Sequence, residues 1–261
     1  MYRLFLAGLL SFVLLIQSGA SAWAESAVSD DSAYILYFVN DGQIEEAESY
    51  QPEDIDHRRA EKIWQVFAAI IPAKQLYRVQ EYYVNGPEND GGASVIAVDS
   101  ELRDWQLSID EKSVELNDRQ DMQDLAFLLI HEFGHILTLN HEQIDADYMS
   151  CEATIELEEG CAKDNSYIDL FVKRFWNKGM LTFAKTQDAA TVYRRYTNHF
   201  VHEYAATNPV EDIAESFSIF VEEDEPENCG VTVADQKVCF FYEFSELIIL
   251  RSQIRAGVSS L

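Results

Sequence analysis

The chain has 261 residues, of which 46 are acidic and 19 basic, giving a formal charge of −27. That imbalance argues against nucleic acid and anionic membrane surfaces as partners, and it suits a solvated acidic surface or a cationic substrate. The length allows one domain with two lobes around a cleft.

In chain order, Arg3 supplies a short basic start and 4–16 is an apolar run too short to span a bilayer. Two overlapping cleavage patterns follow, Ala20-Ser21-Ala22 and Ala22-Trp23-Ala24. They predict a signal peptide over 1–24, cut after Ala24, and an exported protein, secreted or periplasmic, without stable membrane insertion. An uncleaved anchor is the alternative. Residues 34–39 read as a strand. Over 53–71, Ile55, Ile63, Val66, Phe67, Ile70 and Ile71 recur with helical spacing, and Pro52 stands where a helix begins. Strands are expected at 77–84, 93–98 and 105–109, with a turn-rich loop from Asn85-Gly86-Pro87 to Gly91-Gly92 between the first two. Asn117 or Asp118 then caps a long helix over 119–139, with Asp121 and Asp124 in its early turns. An acidic irregular loop spans 142–165, and helices are expected at 167–176, 189–204, 209–221 and 234–255. The result is an α+β chain, with a mixed-sheet lobe over about 33–140 and a mainly helical lobe over about 141–261.

Two close cysteine pairs, Cys151 with Cys161 and Cys229 with Cys239, read as two local disulfides in an oxidising compartment, although four cysteines allow three connectivities. A zinc–thiolate site competes, but no C-x-x-C pair is present.

The long helix carries His131-Glu132-Phe133-Gly134-His135. Histidines four positions apart share one face of a helix and can bind a single Zn²⁺ together. Glu132, beside the first, is placed to take a proton from an attacking water and pass it to a leaving amine. A catalytic zinc normally takes a third protein ligand. The local candidate is His141, ten positions after His131, with Met149 downstream in Asp-Tyr-Met-Ser. This spacing resembles the metzincins, but Thr138 stands where that family has Gly, and a β-branched residue resists the backbone with which the chain leaves the helix. The distal candidate lies on the helix capped by Thr207 or Asn208, with Pro209 in its first turn. Ile213, Phe217 and Phe220 form its apolar stripe, and Glu211 and Glu215 share another face, one turn apart. One carboxylate can bind metal while the other hydrogen-bonds a ligand histidine. An acidic first turn that merely suits the helix dipole is the competing reading.

Tyr204 stands seven residues before Glu211. The two-histidine helix together with this Tyr–Glu–Glu helix resembles gluzincins of the anthrax lethal factor and Pro-Pro endopeptidase type. The resemblance covers only these two helices. It implies a zincin-like fold, one catalytic Zn²⁺ held by His131, His135 and Glu211, and Glu132 as general base. It also implies Glu215 beside a ligand histidine and a Tyr204 hydroxyl that stabilises the oxyanion. His199 and His202 are further donors near that position. The activity implied is hydrolysis of peptide bonds in a protein or peptide substrate. His141 as third ligand remains open, as does a zinc-stabilised binding module without catalysis. The sequence indicates neither a specific substrate nor an oligomeric state.

Overall fold

The computed structural model describes residues 33–85, 92–147, 150–151 and 153–261. The expected signal peptide, loop positions 86–91 and Met149 lie outside them.

The first two strands form a hairpin, β1 (Tyr34–Asn40) with β2 (Gln43–Tyr50), closed by Asp41 and Gly42 at φ 50° and 76°. Both central residues with positive φ make the primed turn whose twist matches paired strands. After a 3-10 turn at Pro52–Asp54, α1 (His57–Ile70) starts only where the Asp56 carboxylate accepts the amides of Arg58 and Arg59. The predicted helix from 53 is therefore two pieces, because Asp56 supplies the stronger cap. A short α2 (Ala73–Leu76) leads into β3 (Val79–Asn85), then β4 (Ala93–Ala97) and β5 (Trp105–Asp110). The sheet order is β2-β1-β3-β5-β4, parallel only between β3 and β5. Ile35, Tyr82, Val84, Leu107 and Ile109 are fully buried, in one core with Ile63, Trp64 and Phe67 of α1. The Tyr82 hydroxyl donates to the Ala60 carbonyl at 3.0 Å, so its polar tip is satisfied inside that core.

The long helix α3 (Arg119–Leu139) has the predicted limits, and Asp118 and Asp121 cap it reciprocally. Beyond it, a two-stranded ribbon joins β6 (Ile144–Asp145) to β7 (Cys161–Ala162) within the region expected to be irregular. Six helices follow: α4 (Tyr167–Phe175), α5 (Lys178–Ala184), α6 (Ala189–Arg195), α7 (Pro209–Glu222), α8 (Val233–Phe240) and α9 (Ser245–Val258). Two expected helices are broken. Residues 189–204 divide into α6 and the 3-10 turns Thr197–His199 and Tyr204–Ala206, and 234–255 divides at Phe241–Glu243. Phe240 and Phe241 both point into the aromatic core with Phe171 and Phe220. No described helix is long and apolar enough to cross a membrane.

Cys151 and Cys161 are bonded, with Cα atoms 5.5 Å apart. The expected second disulfide is not formed. The left-handed Cys229 (φ 52°) and Gly230 (φ 77°) turn the chain into α8 and leave Cys229 exposed, beside the buried Cys239 rather than bonded to it. Burial and a hydrogen bond with Cys229 push the Cys239 thiol up to about 12.

Arg251 and Arg255 of α9 close the C-terminal end of α7, donating to the carbonyls of Phe220, Val221 and Glu223. Glu222 is out of place there. Burial, Glu223 and Asp124 push its carboxyl from 4.5 up to about 7. A raised acid binds its proton more tightly in the folded state, so it opposes folding above about pH 7 and this penalty fades as pH falls toward 4.5. Glu222→Gln is expected to raise stability at pH 8 by roughly 1 kcal/mol, after allowance for solvent screening. That corresponds to about 2–4 °C in melting temperature. Melts at pH 8 and pH 5 check this, since a gain of equal size at both would rule out the titration as its source.

Candidate metal and catalytic site

Helix α3 carries His131, Glu132 and His135 in its buried second half, and α7 crosses it with Glu211 and Glu215 facing the imidazoles. Gly134 makes the crossing close. A Cβ there would stand 3.2 Å from Ala214 Cα and 3.4 Å from Ala214 Cβ, so a side chain would press the helices apart. Asn208 caps α7, accepting the amides of Val210 and Glu211, with Pro209 in the first turn as expected.

The ring nitrogens His131 Nε2 and His135 Nε2 lie 3.0 Å apart, and Glu211 Oε2 lies 3.2 and 3.4 Å from them. These three residues form the one group among those described with ligand atoms converging as a metal requires. The arrangement fits a divalent ion. Glu211 Oε2 is buried without a hydrogen-bond donor, because neither imidazole aims an N–H at it despite the short distances. Two histidines and a carboxylate are also a donor set suited to zinc. Burial opposes charge on Glu211, yet His131 and His135 hold its carboxyl down at about 2. His131 is itself raised to about 9, its burial outweighed by Glu211 and Glu215.

Glu215 continues the network. Its Oε1 lies 2.9 Å from His131 Nδ1 and its Oε2 lies 2.7 Å from His202 Nδ1. Glu132 is 4% exposed, lines the cleft, and accepts no hydrogen bond from a described residue. Burial raises its carboxyl, with the two histidines pulling the other way. Tyr204 opens the 3-10 turn before α7, with its ring 5.8 Å from that of His131. Burial, Glu211 and Glu132 push its hydroxyl up to about 12, so it remains a donor at neutral pH.

His141 does not join the group. Thr138 stays helical, its hydroxyl donating to the Gly134 carbonyl at 2.8 Å, and α3 runs on to Leu139. The chain then leaves in extended form at Asn140, and the His141 amide is tied to the Leu102 carbonyl at 3.0 Å. His202, weighed as an oxyanion donor, is turned onto Glu215 and does not line the cleft. His199 is also absent from the lining; its carbonyl accepts Lys237 Nζ at 2.5 Å.

The cleft measures about 810 Å³. Ala93, Ser94 and Val95 of β4 line it, and β4 is an edge strand paired only with β5 among the described residues. Other lining comes from Ile155 to Glu159, from Leu181 and Ala184 of α5, and from Lys185 just after it. Behind α7, Asp212 is fully buried, accepting Trp176 Nε1 at 2.7 Å and Lys237 Nζ at 2.5 Å. The sequence reading missed the cleft walls, the His202 contact and Lys237. Only Gly134 carried a local signal, a small residue between the two histidines.

No protein-family model matches the chain, and no curated protein matches it. Among solved structures, the chain is similar to a protein from Bacteroides caccae described as a "putative zinc-binding metallo-peptidase". The likeness has a TM-score of 0.43 at 17% identity, over 78% of this chain and 77% of that one.

Proposed function

We propose that this protein is a zinc-dependent endopeptidase. The observation that carries the reading is the convergence of His131, His135 and Glu211 beside a carboxylate, Glu132, that has no hydrogen-bond partner among the described residues, in an 810 Å³ cleft. A zinc-stabilised binding module has no need of such a group.

His131, His135 and Glu211 would hold the ion, and Glu215 would orient His131 through Nδ1. When bound, zinc supplies a Lewis acid with an open position, polarising a carbonyl oxygen and acidifying water. Glu132 takes a proton from the water whose oxygen attacks the scissile carbonyl carbon. As the C–N bond breaks, it returns that proton to the amine. The Tyr204 hydroxyl donates to the negative charge that develops on the carbonyl oxygen. The free edge of β4 offers backbone amides and carbonyls to an extended peptide, which supports a polypeptide substrate. Among the described residues the lining holds Glu156, Glu158 and Glu159 against one cation, Lys185, a balance that favours basic side chains in that peptide. The signal pattern over 1–24 and the Cys151–Cys161 bond support export.

Zinc content tests the ligand set. Purified Glu211→Ala is expected to lose most of its stoichiometric zinc after dialysis, whereas His141→Ala keeps it, as read by metal analysis. Zinc retained in Glu211→Ala and lost in His141→Ala would overturn the assignment.

A further inference from the structure

Glu215 meets a different imidazole at each oxygen: Oε2 is hydrogen-bonded to His202 Nδ1 at 2.7 Å, and Oε1 lies 2.9 Å from His131 Nδ1, a close contact whose N–H is not aimed along it. A carboxylate gripped at one oxygen can swing about its terminal torsion, which has broad minima. The Oε2 hydrogen bond, with Oε1 set close to His131, restricts that swing. His202 is itself braced. Its ring packs edge-on against Phe127 with centroids 5.8 Å apart, and Phe127 lies one turn before His131 on α3. Phe200 and Ala205, on either side of it in sequence, are buried. The His202 side chain therefore touches both helices of the site, α3 through Phe127 and α7 through Glu215, without reaching the cleft.

We propose that His202 is a positioning residue for the zinc site. Its Nδ1–H donates to Glu215 Oε2 and thereby turns Oε1 onto His131 Nδ1. A carboxylate oxygen beside Nδ1 favours the His131 tautomer protonated there, which leaves the Nε2 lone pair free for metal. The effect on zinc passes through the His202–Glu215 hydrogen bond and the Glu215–His131 contact, so His202 controls how well a ligand is oriented and supplies none. This inference rests on the zinc reading above.

The test uses the full chain after any export processing, stripped of metal, and measures zinc affinity by competition with a chromophoric chelator. His202→Phe keeps a ring against Phe127 and removes the donor. His202→Asn places an amide N–H near the position of Nδ1. Loss of such an outer partner is expected to weaken zinc binding about 10–100-fold in His202→Phe, while His202→Asn stays within about threefold of wild type. Melting of the metal-free proteins provides the control, and the two variants should melt alike. Should His202→Phe fail to fold, His202→Ala carries the same expectation. Wild-type affinity in His202→Phe overturns the proposal, and so does an equal loss in His202→Asn, which would assign the effect to ring packing. A wild-type chain that binds no zinc removes the peptidase reading as well, whereas tight wild-type binding with unaffected His202 variants removes this proposal alone.

Discussion

Glu132→Gln is expected to lower kcat for peptide hydrolysis by about 10²–10⁴-fold, the usual contribution of a positioned general base. On the rate scale that is roughly 3–5 kcal/mol of transition-state stabilisation. Gln has nearly the same volume but cannot take up a proton at neutral pH. No described residue donates to the Glu132 carboxylate, so the replacement leaves no buried donor unpaired. The three residues proposed to hold metal are untouched. Zinc content and KM should therefore stay near wild type while kcat falls, the pattern of an interaction made only in the transition state. Initial rates on a fluorogenic peptide library measure this, with a chelator-treated sample as baseline. Full hydrolysis by Glu132→Gln would falsify the role given to Glu132, whatever the metal content.

Features that local chemistry dictates could be read from the sequence. Asp118 before the long apolar period, and Asn208-Pro209 before the shorter one, gave both site helices their correct starts, because caps are short-range hydrogen bonds. Glu211 and Glu215, one turn apart, share a face of α7 by helix geometry alone, whereas the Tyr204 expectation came from the resemblance. Thr138 already disfavoured His141, since a β-branched residue stays in a helix more readily than it adopts a left-handed exit. What stayed hidden depends on distant partners. β2 was missed because Glu45, Glu46 and Glu48 face solvent on an edge strand and leave no apolar alternation. Neither Pro nor Gly marks the break at Phe241–Glu243, so no local signal in the sequence gives it. The cleft walls come from β4, the Ile155 to Glu159 segment and α5, which meet only through the fold.

Lys237 shows how far such a distant partner can matter. Its ammonium and the Asp212 carboxylate are both fully buried, and burial pushes the lysine down and the aspartate up. Each is kept charged chiefly by the other. Asp212 also sits beside Glu211, proposed above to hold metal, in the first turn of α7. Lys237 Nζ further donates to the His199 carbonyl and lies 4.2 Å over the Phe200 ring, anchoring the segment that leads to His202 and Tyr204. Removing one partner of a buried pair leaves an uncompensated charge, so Lys237→Met is expected to destabilise the fold by about 3–5 kcal/mol. For a chain of this size that is roughly 6–20 °C in melting temperature. Adding Asp212→Asn removes the stranded charge while keeping an acceptor for Trp176 Nε1, and should restore more than half of the loss. Denaturant unfolding in the presence of a chelator measures the fold without any contribution from bound metal. If the single variant loses less than about 1 kcal/mol, or the double variant is no better than the single, the ion pair is not what holds the first turn of α7 in place.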